Sequence, residues 1–187
     1  MIPNLEPSGH MPPGRYRCDL SQVQSRFRDH SEFTRSTTRR DIWDEWARAT
    51  AALRWAVPVA AVWLGGSYIS NTADPADLDT VYVVSSFELA AVQTDQQRNR
   101  VVALFAGGKL VHAQTGLRVD SYILPWKSNP RSSPQDGGDN MYLRRRGYWD
   151  DFWQRISSGP RSAVNPPPEN ARPRRGYLEV ILDGFDS

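Results

Sequence analysis

The chain has 187 residues, one cysteine, a formal net charge of +2 and 39% hydrophobic residues. That length supports one domain with a full hydrophobic core, and a lone Cys18 excludes an intramolecular disulfide and a cysteine-based zinc cluster. No run nears the roughly 18–20 apolar residues of a membrane helix, and the start MIPNLEPSGHMPPG lacks the basic and apolar regions of a signal peptide, so the expectation is a soluble cytoplasmic protein without a membrane partner.

Proline placement organises the chain. Residues 16–124 contain Pro58 and Pro75 alone, and the other twelve prolines fall in 1–15, 125–134 and 160–173. The Pro-rich stretches read as loops or extended arms. The expected organisation is a single domain over 1–187, with a heart at about 38–124. A Pro-rich arm precedes it. The extension 125–187 follows, with a Pro-rich loop at 158–175.

Asp19 with Gln22 three residues on resembles a capping box, opening a short helix to about Phe27. Ile42, Trp46, Ala49 and Leu53 recur on one helical face, which predicts a helix from about Thr38 to Trp55, stopped by Pro58. Val59–Leu64 is a short apolar run between a proline and a glycine pair, the length of a buried strand. Leu78–Val84 reads as a second strand. Ser85 and Glu88 resemble another capping box, and a broken helical pattern follows to about Phe105, interrupted by Gly107-Gly108. Leu117–Leu124 alternates and predicts a third strand; Met141–Ile156 predicts a helix broken near Gly147; Tyr177–Leu182 predicts a last strand. Strands interleaved with helices give an α/β or α+β fold with a sheet flanked by helices.

Three elements carry chemistry. The first is the turn Gly65-Gly66-Ser67 at the end of a buried strand. Glycine lets backbone approach a phosphate without a Cβ in the way, and a helical turn starting at Ser67 would offer free N–H groups to an anion. The second is Asp77-Leu78-Asp79: residues i and i+2 of a strand share a face, so the two carboxylates would stand side by side with Leu78 turned into the core. Paired carboxylates repel unless a cation lies between them, and hard oxygen ligands suit Mg²⁺. The bland alternative makes Asp77 a turn residue after Pro75 and Asp79 a solvated strand position. The third is Asp120, an acid within an otherwise apolar strand, which needs a partner or a metal. A salt bridge to an arginine would serve equally.

The order of these parts resembles the nucleotidyltransferase superfamily of the DNA polymerase beta type. The resemblance implies a nucleotidyltransferase-like mixed sheet. It implies that Gly66 and Ser67, with Gly65, hold the β and γ phosphates of an NTP, and that Asp77 and Asp79 bind two Mg²⁺ ions. It also implies that Asp120 helps hold one metal and deprotonates an acceptor hydroxyl on RNA, protein or a small molecule. A narrower resemblance rests on His10-Met11-Pro12-Pro13-Gly14, Gly65-Gly66-Ser67-Tyr68, Pro75-Ala76-Asp77-Leu78-Asp79, Gly147-Tyr148-Trp149 and Gly176-Tyr177-Leu178-Glu179-Val180. These segments are similar to a family of small uncharacterised bacterial and phage proteins with a Leu-Pro-Pro-Gly start, where this chain has Met11. Small stand-alone members of the superfamily resemble toxin–antitoxin or phage-defence components, which implies a possible cognate protein partner.

Arginine supplies 21 of the 23 basic residues, with Lys109 and Lys127 the others. Arginine suits bidentate contact with phosphate, although a codon bias gives the same count. Arg144-Arg145-Arg146, beside Tyr142, Tyr148 and Trp149, is a candidate acceptor-binding patch or a solvated helix face. Arg172, Arg174 and Arg175 could reach a triphosphate or keep a loop soluble. Tyr68, Tyr122 and Trp126 lie near the motifs and offer either stacking surfaces or core. Two other functions remain open at this point: an inactive interaction or antitoxin-like module of the same fold, and an Arg-rich nucleic-acid-binding protein with structural acids.

Overall fold

The apolar periods translate into a five-stranded mixed sheet with helices on both faces, an α+β fold as expected. The computed structural model describes residues 1–127, 141–157 and 167–185. Its strands are β1 Gly14–Cys18, β2 Ala61–Gly65, β3 Leu78–Ser85, β4 Val119–Trp126 and β5 Gly176–Ile181. Its α-helices are α1 Leu20–Val23, α2 Arg39–Ala56, α3 Ser86–Val92, α4 Gln96–Phe105, α5 Leu110–Thr115 and α6 Met141–Gln154. The expected loops at 125–134 and 158–175 lie largely outside the described residues.

The strand order is β1-β5-β2-β3-β4. β1 runs parallel to β5 and β3 parallel to β4, while β2 is antiparallel to both of its neighbours. Alternation sorts the side chains. Tyr82 of β3 faces α2 and α4: its hydroxyl lies 2.7 Å from the Thr50 hydroxyl, and its ring meets Phe105 edge-on at 5.6 Å. Asp79, an odd three residues from Tyr82 along β3, faces the opposite side with Tyr122 of β4, whose ring lies 4.6 Å from Trp149 of α6. No helix among the described residues is long and apolar enough to cross a membrane.

Several boundaries depart from the sequence expectation for physical reasons. β1 lies where an arm is expected. Arg15 and Arg17 are exposed while Tyr16 and Cys18 turn inward, so only two inward residues carry its pattern. The segment before β1 is also tied down: Met11 is buried, its carbonyl accepts from Gly176 N–H at 2.9 Å, and the Gly9 carbonyl accepts from Asn71 N–H at 2.9 Å. β4 continues through Pro125, which an edge strand tolerates because its lost N–H need not serve a ladder on both sides. α6 runs unbroken through Gly147, anchored by Trp149 and Trp153 against the sheet. The capping box at Asp19 and Gln22 is present, and Ser85 caps α3 by accepting from Phe87 N–H.

One buried side chain fixes the loop that follows β2. Arg39, at the start of α2, is 0% exposed. Its guanidinium donates to the carbonyls of Phe27, Tyr68, Ser70 and Thr72 at 2.5–3.2 Å and lies 3.7 Å from the Phe33 ring centroid. The Tyr68 hydroxyl returns a bond to the Arg39 carbonyl at 3.0 Å. Burial pulls the guanidinium down to about 10, still charged at neutral pH. A buried charge is tolerated here because carbonyl oxygens and an aromatic face replace its water.

Replacing Arg39 with Met should lower stability by at least about 3 kcal/mol, since several buried carbonyls lose their donor at once. Urea unfolding measures this, and Arg39→Lys should recover only part of the loss because an ammonium lacks the planar fork. Gly147→Ala should raise stability by about 0.5–1 kcal/mol, because a Cβ there meets nothing within 4 Å.

Candidate active site

The site begins where β2 runs out. Gly65 pairs with Asp79 across the antiparallel ladder. Gly66 then takes φ +74°, and a single 3₁₀ turn, Ser67–Ile69, follows. Both glycines are required by close approach. A Cβ on Gly65 would fall 2.6 Å from Cε3 of Trp153, and one on Gly66 would fall 1.7 Å from Oδ2 of Asp79. The turn therefore lies directly against a carboxylate on one residue and against α6 on the other.

The parallel register of β3 and β4 sets Asp79 beside Asp120, with Leu78 and Val119 buried on the opposite face. The i, i+2 argument expects Asp77 on the strand, but β3 begins at Leu78 and Asp77 lies just outside it. Sheet pairing starts one residue later, where Leu78 N–H donates to the Arg118 carbonyl at 3.0 Å, just after the buried Pro75. The Asp77 carboxylate lies 3.3 Å from Nζ of Lys109. Lys109 immediately precedes α5, and neighbouring Gly108 bridges to Ser121 on the outer edge of β4. The strand start itself is held by Glu45 of α2, which accepts from Arg118 N–H at 2.8 Å and from its guanidinium at 2.7–3.2 Å.

The electrostatics match this crowding. Burial, then the Asp77 and Asp120 charges, push the Asp79 carboxyl up to about 6, against the opposing pull of Arg175 and Lys109. Burial lowers the Arg175 guanidinium, and Asp79 works against that shift. Arg175 is anchored by donating to the Trp153 carbonyl at 2.9 Å. His10 is held below its ordinary range by burial and then by Arg175 and Arg174. The Tyr122 hydroxyl is raised by burial, then by Asp120 and Asp79.

Gly65, Gly66, Asp79 and Asp120 thus meet at one place, with Asp77 at its rim. Ser67 is there too, but the helix expected to start with it is one three-residue turn, closed when Ser70 bonds the Ser67 carbonyl through N–H and Oγ. So short a turn carries no macrodipole for an anion. Of the arginine run on α6, Arg146 donates to the Tyr142 hydroxyl at 3.1 Å, while Arg144 and Arg145 are exposed. Tyr68 is fully buried and bonds Arg39, and Trp126 is buried against Phe185; both are core. Tyr122 does border the acids.

Sequence reasoning gave Lys109 no role, and for Arg175 it left open a contact to a triphosphate or nucleic acid and a merely solvating place in a loop. Lys109 carries a weak signal, a lysine after a glycine pair in an arginine-dominated chain. Arg175 gives a positional one, the residue before the last strand. Among the described residues, no three His, Cys, Asp or Glu side chains form a ready-made metal cage. The acids nonetheless suit a hard divalent cation. Asp79 is held in a place that penalises its charge beside two other acids, and Lys109 supplies the positive charge that Asp77 meets here.

These shifts dictate a pH effect with an unusual sign. Asp79 has a folded value near 6, above the ordinary 3.8. Between those values the folded chain keeps a proton that the unfolded chain has released, so stability falls as pH rises through that window. The full cost persists above about pH 6. Asp79→Asn should therefore melt higher than wild type at pH 7.5 without divalent ions, and the difference should shrink as pH falls toward 4, read by differential scanning calorimetry. A lower melting point for the variant at pH 7.5 would contradict this balance of charges.

No curated protein and no solved structure matches the chain. Residues 3–181 match the family of unknown function DUF6932. That match runs through all five strands, the glycine turn and the three acids, and the chain belongs to this family.

Proposed function

We propose that the chain is a Mg²⁺-dependent nucleotidyltransferase that moves a nucleoside monophosphate from an NTP to an acceptor hydroxyl. The observation that carries this reading is the pairing of Asp79 with Asp120 on adjacent parallel strands, directly under Gly66. A purely structural purpose accounts poorly for such a pair. Neighbouring carboxylates destabilise each other, and burial adds to the penalty on Asp79.

Asp77, Asp79 and Asp120 would hold one or two Mg²⁺ ions, which when bound neutralise phosphate charge and polarise the α-phosphoryl group. The chain's own residues supply the rest. The Gly65-Gly66 backbone, stripped of Cβ atoms, lets the Asp79 carboxylate and the Trp153 ring pack directly against the turn, which holds the acid in place beside it. Lys109 and Arg175 stand at the rim with charge suited to the triphosphate. Asp120 takes the proton of the acceptor hydroxyl. The acceptor oxygen then forms its bond to the α-phosphorus in line, the bond to the bridging oxygen breaks, and pyrophosphate leaves with that electron pair. Holding these groups in register is the main contribution a protein makes to such a transfer.

Incubation with each α-labelled NTP, Mg²⁺ and a cell extract should label a macromolecule or small-molecule acceptor. Asp120→Asn should cut the rate roughly 10²–10⁴-fold, the range for loss of a general base, and Asp79→Asn should abolish Mg²⁺-dependent labelling. Near-wild-type transfer by either variant would remove the assignment.

A further inference from the structure

One face of α6 is aromatic and stands beside the acids. Trp153 packs over Gly65 and meets Tyr177 edge-on at 5.7 Å. One turn earlier, Trp149 lies 4.6 Å from Tyr122. These two tryptophans lay the helix across the acidic face of the sheet, from the glycine turn to β4. Two further rings of α6 are not used for that purpose. Tyr148 and Phe152 stack nearly parallel, 14° and 5.7 Å apart, and are 58% and 49% exposed. Both contact Trp149, at 5.2 and 5.8 Å between centroids.

This pair connects to the acids through Tyr122. The Tyr122 hydroxyl and Oδ1 of Asp120 lie 3.0 and 3.5 Å from the point where a Cβ on Gly108 would stand. A continuous path therefore runs from Asp120 to Tyr122, to Trp149, to the exposed rings. Electrostatic influence of Tyr148 on the Tyr122 hydroxyl agrees with their closeness. Stacked on each other and half exposed, the two rings offer a flat π surface to a planar ligand. Next to a phosphate-binding centre, the planar ligand of matching chemistry is a nucleobase.

Resting on the nucleotidyltransferase reading, we propose that Tyr148 and Phe152 form a stacking shelf for the base of the bound NTP, with Trp149 as its backing. The shelf makes no use of base-edge hydrogen bonds, so it binds purines more tightly than pyrimidines through stacking area alone. It also gives α6 a binding role in its second half, beyond the arginine run of its first half.

Calorimetric titration in Mg²⁺ separates the two levels. Wild type should bind both inorganic tripolyphosphate and ATP, with ATP tighter by about ten- to a hundredfold. The double variant Tyr148→Ala/Phe152→Ala should bind tripolyphosphate as wild type does, which also reports an intact fold, and should lose the advantage of ATP. Tyr148→Trp should keep or enlarge that advantage. A double variant that retains the full preference for ATP overturns the shelf and leaves the nucleotidyltransferase reading standing. Wild type that binds neither probe overturns both. Sedimentation showing a dimer that the double variant abolishes, with ATP affinity unchanged, assigns the rings to contact between copies and also overturns the shelf.

Discussion

The Arg39 guanidinium is the fixed point from which the acidic face is built. A chain leaving a buried strand through two glycines has little intrinsic reason to hold one path. Here the carbonyls of Tyr68, Ser70 and Thr72 all turn toward one cation, and the Phe27 carbonyl joins them from the π-helical turn after α1. Two separate backbone segments, the loop 68–72 and the turn at Phe27, are thereby referenced to the first turn of α2. The same helix, nearly two turns further on, presents Glu45 to Arg118 and so fixes the start of β4. One helix consequently governs both sides of the acid cluster: the glycine turn through its first residue, and the Asp120 strand through its seventh.

Against that rigid frame, the acids stand in opposition to their surroundings. The core elsewhere is conventional, with Trp46, Trp63, Leu64, Leu78 and Val119 closing around apolar neighbours. At Asp79 the fold accepts burial, two like charges and a glycine whose backbone leaves no room for anything larger. Local conflict of this kind, in a chain otherwise consistent from helix caps to strand alternation, is where functional demand departs from the demands of folding. Lys109 and Arg175 temper the conflict from opposite directions, one before α5 and the other before β5.

The parts legible in the sequence share a property: they are local. The α2 period, the apolar run of β3, the alternation of β4, the glycine pair and the acids of β3 and β4 all declare themselves within a dozen residues. What the sequence hides is assembled from afar. Asp77 reads as a strand residue because nothing nearby announces that pairing begins at Leu78; that boundary is set by the Arg118 carbonyl on another strand. Arg175 and Lys109 join the site through tertiary packing alone. β1 escapes notice because an edge strand with outward arginines has only Tyr16 and Cys18 to show for its inner face. Gly147 reads as a break because its local propensity is poor, and the tryptophans that overrule it act across space.

The position of β5 has a consequence for how the molecule comes into being. The strand nearest the carboxyl end lies between β1 and β2, so β1 has no neighbour in the sheet until Gly176–Ile181 has been synthesised. Translation from the amino end cannot close this sheet progressively. While the ribosome is still threading out α6, the β2–β3–β4 ribbon carries an open flank at β2, and the glycine turn lacks the Trp153 ring that later packs against it. Completion of the acidic face is therefore a late, long-range event, which leaves the nascent chain with an unpaired strand edge suited to chaperone capture.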